Sequence, residues 1–217
     1  MAEEIEQGIF ITFEGPEGSG KSTHSRRVYE ELLSDGFDAV HTAEPGGTAL
    51  GRGIRDLLLE KDEIRLDSQA ELFLFEADRA QHVEEFIRPQ LRMKKVVICD
   101  RYSTATFAYQ GYGLGTDIGF IERVDAAATG GLCPDLTVLL DVDVETGLAR
   151  AGAGRPADRI EKRNRQFHEK VRRGYLSLAE KFPDRIKVIE VRDNRDETYN
   201  LVKEEVYALI ERYKRSK

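Results

Sequence analysis

The sequence predicts an α/β fold in which helices cover both faces of a five-stranded parallel sheet. Apolar runs typical of buried strands recur at residues 8–13, 38–43, 95–100, 136–142 and 186–191. Amphipathic stretches separate these runs, and strand alternating with helix indicates parallel strands joined by right-handed crossovers. Because ligands of such sheets bind at the carboxyl ends of the strands, we expect the functional residues just after each run.

The stretches between the runs predict helices. They span residues 21–35, 50–60, 68–91, 117–129, 145–151, 159–181 and 195–214. A chain of 217 residues can bury one substantial core without metal or disulfide, so a single domain over residues 1–217 is expected. The segment AGAGRPAD, residues 151–158, is rich in Gly, Ala and Pro and is typical of a mobile loop between two helices.

Composition limits the classes of partner and compartment. The chain has 33 Lys and Arg against 40 Asp and Glu, a net charge of -7, which argues against a nucleic acid or an anionic membrane as partner. Only Cys99 and Cys133 carry thiols, and neither a signal pattern nor a bilayer-length apolar run is present. We therefore expect a cytoplasmic protein, with Cys99 a buried thiol in the run VVIC.

The stretch GPEGSGKST follows the first predicted strand and opens the first predicted helix. Its Gly15, Gly20, Lys21 and Ser22 satisfy G-x-x-x-x-G-K-[ST], the P-loop pattern, although a glycine-rich turn with a chance lysine is the alternative. Backbone N–H groups and Lys21 would hold phosphates, and the Ser22 hydroxyl can ligand Mg²⁺. The stretch predicts the three-layer fold of P-loop NTPases. We expect ATP to contact the whole loop: Gly15, Pro16, Glu17, Gly18, Ser19, Gly20, Lys21, Ser22 and Thr23.

The run KVVICD ends in a carboxylate, Asp100, where a P-loop protein needs an acidic partner for its metal. An Asp that caps the next helix is the alternative interpretation. The chain contains no N-K-x-D sequence, which weakens a GTPase interpretation.

Arginines also recur after the predicted strands and at the Gly/Pro-containing loop. Taken singly, each is more often a solvated surface charge. Taken together they indicate a set that clamps anions, because phosphoryl transfer depends on positioning and on neutralising charge. The members are Arg55, Arg79, Arg101, Arg150 and Arg155.

Longer motifs resemble the bacterial and archaeal thymidylate kinases over nearly the whole chain. They are FEGPEGSGKST, EPGGT, LFLFEADRAQH, DRYSTATFAYQG, PDLTVLLDV, DRIE and FHEKVRRGYLSLA. The P-loop alone would give only a superfamily, whereas DRY followed by AYQG, with EPGGT upstream, is specific to this family. The resemblance implies transfer of the terminal phosphoryl group of MgATP to dTMP, without a covalent intermediate. It also implies a homodimer formed through sheet-flanking helices, for which segment 68–91 could provide the surface or instead face the core.

The resemblance further implies roles for individual residues. Lys21 and Arg101 would hold the transferring and acceptor phosphates, and Arg55 would clamp the acceptor phosphate. Phe75 would stack on thymine, unless it is a core residue, and Arg79 would hydrogen-bond the edge of the base.

The resemblance implies contacts to the acceptor for four further residues, one of which lies in the P-loop. Thr106 and Gln110 match positions that read the amide edge of the pyrimidine, and Tyr109 matches a tyrosine that crowds the 2′ carbon. Glu17 would turn from ATP toward the 3′ hydroxyl of the acceptor and lie near Arg101 or magnesium; a solvent-facing loop tip is the alternative.

The P-loop lacks the arginine that some relatives carry, so the resemblance implies that the lid, at about residues 150–158, supplies the cation. Either Arg150 or Arg155 would reach ATP when the lid closes, and the sequence leaves the choice open.

Two alternatives to thymidylate phosphorylation stay open. One is a kinase for another deoxynucleotide or for a deoxynucleoside. The other is a sensor that binds ATP without transferring phosphate, which the residues on the acceptor side argue against.

Overall fold

The computed structural model describes residues 5–60, 64–153 and 157–214, and it confirms the predicted parallel sheet. The five strands are β1 (Ile9–Glu14), β2 (Ala39–Ala43), β3 (Val96–Asp100), β4 (Leu136–Asp141) and β5 (Ile186–Glu190). Their order across the sheet is β2-β3-β1-β4-β5, and every neighbouring pair is parallel. Each predicted strand matches the observed one to within a residue at both ends, because strands buried on both faces form nearly continuous apolar runs.

The helices surround this sheet. They are α1 (Lys21–Ser34), α2 (Ala49–Arg55), α3 (Ser68–His82), α4 (Arg88–Arg92), α5 (Ser103–Thr106), α6 (Ile118–Thr129), α7 (Val144–Ala151), α8 (Arg165–Lys181) and α9 (Arg195–Tyr213). Three segments are π-helical: Asp56–Glu60 after α2, Val83–Ile87 between α3 and α4, and Phe107–Gly113 after α5.

One predicted helix is wrong in extent, and one observed helical segment was not predicted. The helix predicted to begin at residue 159 begins at Arg165, because the side chain of Asn164 caps it by accepting a hydrogen bond from the Phe167 amide. The segment from Ser103 to Gly113 is helical although no helix was predicted there. Its β-branched, aromatic and glycine residues give no helical period, and packing against α8 holds it, with the Tyr109 and Phe167 rings 6.1 Å apart.

Alternate residues of β1 face the two apolar layers. Ile9, Ile11 and Phe13 pack in the layer formed by α1 and α9, which includes Leu32 and Val206. Phe10 points to the other side of the sheet, into a cluster with Val83, Ile87 and Tyr102. Helices therefore cover both faces of the sheet, as the three-layer prediction requires.

The structure confirms the prediction that the Cys99 thiol is buried. Cys99 is buried and Cys133 exposed, and both are free. Within the described ranges, no helix is long and apolar enough to cross a membrane. The predicted lid is described only in part: Arg150 and Ala151 end α7, and Arg155 lies outside the described residues.

Candidate active site

A cleft of about 770 Å³ collects the residues that follow four of the five strands. Its lining includes residues 17–24 after β1, 43–45 after β2, 100–102 after β3 and 191–193 after β5. A parallel sheet brings the carboxyl ends of its strands to one edge, which places these loops together. The volume is in the range of small-molecule sites.

Two glycines of the P-loop combine a positive φ with a close backbone contact that leaves no room for a side chain. Gly15 has φ +142°, and a Cβ there would lie 2.2 Å from the carbonyl oxygen of Leu140. Gly18 has φ +66°, and a Cβ there would lie 2.0 Å from the carbonyl oxygen of Gly147 in α7. The loop therefore lies in close contact with the backbone of β4 and α7.

Lys21 and the start of α1 place positively charged or polarised N–H groups beside the cleft. Among the described residues no side chain caps α1, whose N-cap is Gly20, so the first-turn amides are available to an anion. The Lys21 ammonium lies across the loop and donates to the carbonyl oxygen of Pro16 at 2.7 Å. Burial, with the nearby Arg101 charge, lowers the pKa of Lys21 to about 8.

Ser22 and Asp100 meet where the P-loop approaches the end of β3. The Ser22 hydroxyl donates a hydrogen bond to Oδ2 of Asp100, and both residues line the cleft. A hydroxyl and a carboxylate oxygen are ligands that suit Mg²⁺, either directly or through water. This donor set fits a metal where the P-loop approaches the end of β3. Asp100 caps no helix among the described residues, so the alternative interpretation of it as a helix cap does not hold.

Glu17 forms an ion pair inside the cleft and is not a solvent-facing loop tip. Nη2 of Arg101 donates to both oxygens of Glu17, at 3.0 and 3.1 Å, and the Tyr109 hydroxyl donates to Oε1 at 2.6 Å. Burial opposes ionisation of this carboxyl, but the charges of Arg101 and Lys21 outweigh it and lower the pKa of Glu17 to about 2. The negative charge of this acid in the P-loop is therefore balanced by the positive charges of Arg101 and Lys21.

The backbone of Arg101 is strained and is held by Glu14. Arg101 has φ +72°, which is uncommon for a residue with a side chain. The buried carboxyl of Glu14 accepts from the next backbone amide, of Tyr102, at 2.8 Å, from that of Ala105 at 3.2 Å, and from the Tyr175 hydroxyl at 3.0 Å. Neither this anchor nor the strain was predicted, although an acid at the end of β1 was a visible signal.

The far end of the cleft is built on α3. Arg79 is buried, and its guanidinium donates to carboxylates on three different elements: Glu44 at 2.9 Å, Glu76 at 2.5 Å and Asp125 at 3.2 Å. Its Nη1 also donates to the Thr106 hydroxyl at 3.0 Å. The three acids fix the guanidinium at the cleft wall, a constraint that the sequence analysis missed.

Phe75 and Arg55 line the same part of the cleft. Phe75 is half-buried and packs against the buried cluster that contains Tyr109, so its ring contributes both to the core and to the cleft wall. Arg55 is exposed, and its Nη1 donates to the carbonyl oxygen of Pro45 at 3.0 Å. This contact ties the Arg55 side chain to the turn after β2.

Gln110 is buried at the cleft wall and is held by an acid from α3. Its Nε2 donates to Oε1 of Glu71 at 3.0 Å. Oε2 of Glu71 accepts from Arg163 at 2.6 Å and from Arg159 at 3.4 Å. Glu71 therefore joins α3, the π-helical segment and the turn before α8, a link that the sequence analysis did not predict.

The opposite end of the cleft is formed by the start of α9 and the end of α7. Arg150 lines it, and its Nη2 lies 3.8 Å from Asp193. Arg192, Arg195 and Thr198 line it as well, and none of them was predicted. The rule that places ligands after parallel strands, applied to β5, would have indicated this segment.

Comparison with known proteins identifies the family. The family model for thymidylate kinase matches residues 13–202 of the chain. The chain belongs to the thymidylate kinase family. The resemblance inferred from the sequence motifs is thereby confirmed.

Individual members of the family are similar over most of their length. A thymidylate kinase of Desulfovibrio desulfuricans is 52% identical over 189 residues, covering 84% of this chain and 87% of the relative. A thymidylate kinase of Exiguobacterium sp. is 44% identical over 92% of both chains. The crystal structure of thymidylate kinase from Ehrlichia chaffeensis superposes with a TM-score of 0.76 at 36% identity, covering 92% of this chain and 98% of that one. The predicted P-loop NTPase fold is thus confirmed.

The buried carboxyl of Glu14 predicts a pH-dependent difference in stability. Burial raises its pKa from 4.5 to about 7, despite the nearby Arg101. Below about pH 4.5 both states hold the proton. As the pH rises toward 7, ionisation favours the unfolded state and stability is lost. Gln in place of Glu14 cannot ionise. We therefore expect the free energy of unfolding of Glu14→Gln minus that of wild type to rise by up to about 3 kcal/mol between pH 4.5 and pH 8.

Urea unfolding of both proteins across this range measures the difference. Glu122→Gln, a change at a side chain that is 53% exposed on α6, is the matched control and should follow the wild type. If the free energies of unfolding of Glu14→Gln and wild type changed by the same amount with pH, the raised pKa of Glu14 would be contradicted.

Proposed function

We propose that the protein transfers the terminal phosphoryl group of ATP to dTMP and releases dTDP and ADP. The observation that supports this proposal is one continuous cleft that is lined both by the P-loop and by buried polar side chains around α3. Lys21 and Arg101 both line this cleft. Two nucleotides placed end to end there would meet at these cations, which would offset the repulsion between their phosphates.

The donor nucleotide is assigned to the P-loop end of the cleft. Its phosphates would contact the backbone of residues 15–23, and its base would lie toward the start of α9. Mg²⁺ would be held by Ser22 and Asp100, and when bound it would neutralise charge on the phosphate oxygens during transfer. Arg150 and Arg155 are proposed to add charge stabilisation from the lid.

The acceptor nucleotide is assigned to the α3 end. Arg55 and Arg101 would bind its phosphate, and Phe75 would stack on the base. Arg79, Thr106 and Gln110 are proposed to contact the polar edge of the base.

The sugar of the acceptor would lie between Glu17 and Tyr109. Glu17 accepts from Arg101 and Tyr109 and, as an ionised carboxylate, can also accept from a 3′ hydroxyl. Tyr109 would crowd a 2′ hydroxyl and so disfavour ribonucleotides.

Product analysis with MgATP and a panel of nucleosides and nucleoside monophosphates tests the assignment. We expect dTDP from dTMP, no product from thymidine, and loss of turnover when EDTA removes the metal. Equal activity on thymidine, or higher activity on another monophosphate, would favour a different kinase. ATP binding without product from any acceptor would favour a sensor.

Arg101→Ala tests the cation between the two sites. Loss of this guanidinium should lower kcat by roughly 10²- to 10⁴-fold, because it acts on charge that develops during transfer. ATP affinity, measured by calorimetry, should be largely retained. The control is Arg212→Ala, a change at an exposed arginine of α9 that leaves the cleft intact. Wild-type turnover in Arg101→Ala would refute this role.

A homodimer is also proposed. Phe73 on α3 is 48% exposed, and its ring lies 6.2 Å from that of Phe120 on α6, so this helix pair has an apolar outer surface. Sedimentation equilibrium should give about twice the chain mass of 24.6 kDa, and Phe73→Glu should shift the mass toward the monomer. A wild-type mass of one chain would exclude the dimer.

A further inference from the structure

We propose that Glu71 is a positioning residue for base selection: it orients the Gln110 amide so that the carbonyl oxygen faces the cleft. In that orientation the site accepts an imide base, thymine or uracil, and rejects cytosine. The inference rests on the proposed function, because it concerns the acceptor end of the same cleft.

Glu71 is a fixed acceptor. It is buried, at 2% exposure, and Arg163 and Arg159 both donate to its Oε2. A carboxylate between two guanidiniums accepts hydrogen bonds and has no proton to donate. Its second oxygen, Oε1, can therefore only accept from Gln110.

Because Glu71 can only accept a hydrogen bond, it determines the orientation of the Gln110 amide. Only the amide nitrogen can donate to Glu71, so Nε2 must face Oε1, which it approaches to 3.0 Å. Gln110 is buried, at 2% exposure, and lines the cleft. Because the nitrogen is turned toward Glu71, the amide presents its carbonyl oxygen, an acceptor, on the opposite side.

Thr106, one turn away, presents the complementary donor. Its hydroxyl oxygen accepts from Arg79 Nη1 at 3.0 Å, which leaves the hydroxyl proton for a ligand acceptor. A donor beside an acceptor matches a carbonyl beside a ring N–H, as in thymine and uracil. Cytosine carries an amino group and an unprotonated ring nitrogen there, so both contacts would be lost.

Glu71→Gln should reverse the amide. Arg163 and Arg159 donate to one end of the side chain, so the carbonyl oxygen of the new glutamine must face them and its NH₂ must face Gln110. Gln110 would then turn its own carbonyl oxygen toward that NH₂ and direct its nitrogen into the cleft. The site would lose its acceptor and gain a donor.

The experiment compares kcat/KM for dUMP and dCMP, two acceptors that differ only at the edge in question. We expect wild type to prefer dUMP, and Glu71→Gln to lower the dUMP/dCMP ratio by ~10-fold or more, the effect of one reversed buried hydrogen bond. Asp141→Asn is the matched control. It weakens another carboxylate–arginine pair, with Arg172 at 2.7 Å, outside the cleft lining, and should leave the ratio unchanged.

A double-mutant cycle separates positioning from a general structural effect. Gln110→Met removes the amide at similar volume and should lower the ratio by itself. If Glu71 acts through Gln110, adding Glu71→Gln to Gln110→Met should change the ratio no further. A further drop in the double variant, or a wild-type ratio in folded Glu71→Gln, would overturn the proposal.

Thermal melting establishes which variants are folded. If Glu71→Gln does not fold, Gln110→Met tests the orientation of the Gln110 amide. A dUMP/dCMP ratio well below that of wild type supports a carbonyl oxygen that faces the cleft, and an unchanged ratio overturns the proposal. The activity of wild type on dTMP distinguishes the two possible failures. If only the inference is wrong, wild type still converts dTMP to dTDP; if the proposed function is wrong, it does not.

Discussion

The ion pair between Arg101 and Glu17 is the interaction on which the geometry of the cleft depends. It joins the loop after β1 to the residue after β3, and Tyr109 extends it to the π-helical segment. Arg101 adopts a left-handed backbone conformation to reach this position, at a cost of roughly 1–3 kcal/mol. The Glu14 carboxyl offsets that cost by accepting from the amide of Tyr102. One buried acid thus holds the backbone while a second holds the guanidinium.

Charged side chains are also held by several partners in the part of the cleft around α3. There each buried charge contacts more than one group of opposite charge. Arg79 contacts three carboxylates and Glu71 contacts two guanidiniums. Such groups add little net stability, since desolvation consumes much of the Coulombic gain, but removal of one partner costs about 3–5 kcal/mol. Their effect is to restrict each polar side chain to one orientation. A site that distinguishes hydrogen-bond donors from acceptors requires that restriction.

Much of the fold could be predicted from the sequence because its signals are local. Buried parallel strands produce apolar runs, and the P-loop pattern needs only nine consecutive residues after a strand. The helix from Ser103 to Gly113 was missed because contacts with α8 hold it, and its own residues favour no helical period. The start of α8 was misplaced because the turn before it, residues 159–163, contains good helix formers, while the Asn164 cap sets the boundary.

The sequence by itself determined the succession of strands and helices along the chain, the P-loop pattern and the identities of many residues that line the cleft, since these depend on neighbouring residues or on motifs. Tertiary structure alone decided which partner each side chain meets. Glu71 and Gln110 are 39 residues apart and Glu17 and Arg101 are 84 apart, and their contacts exist only because the sheet and α3 bring the loops to one edge. Hydrogen-bond direction, burial and the shifted pKa values follow from those contacts, so no local pattern could have specified them.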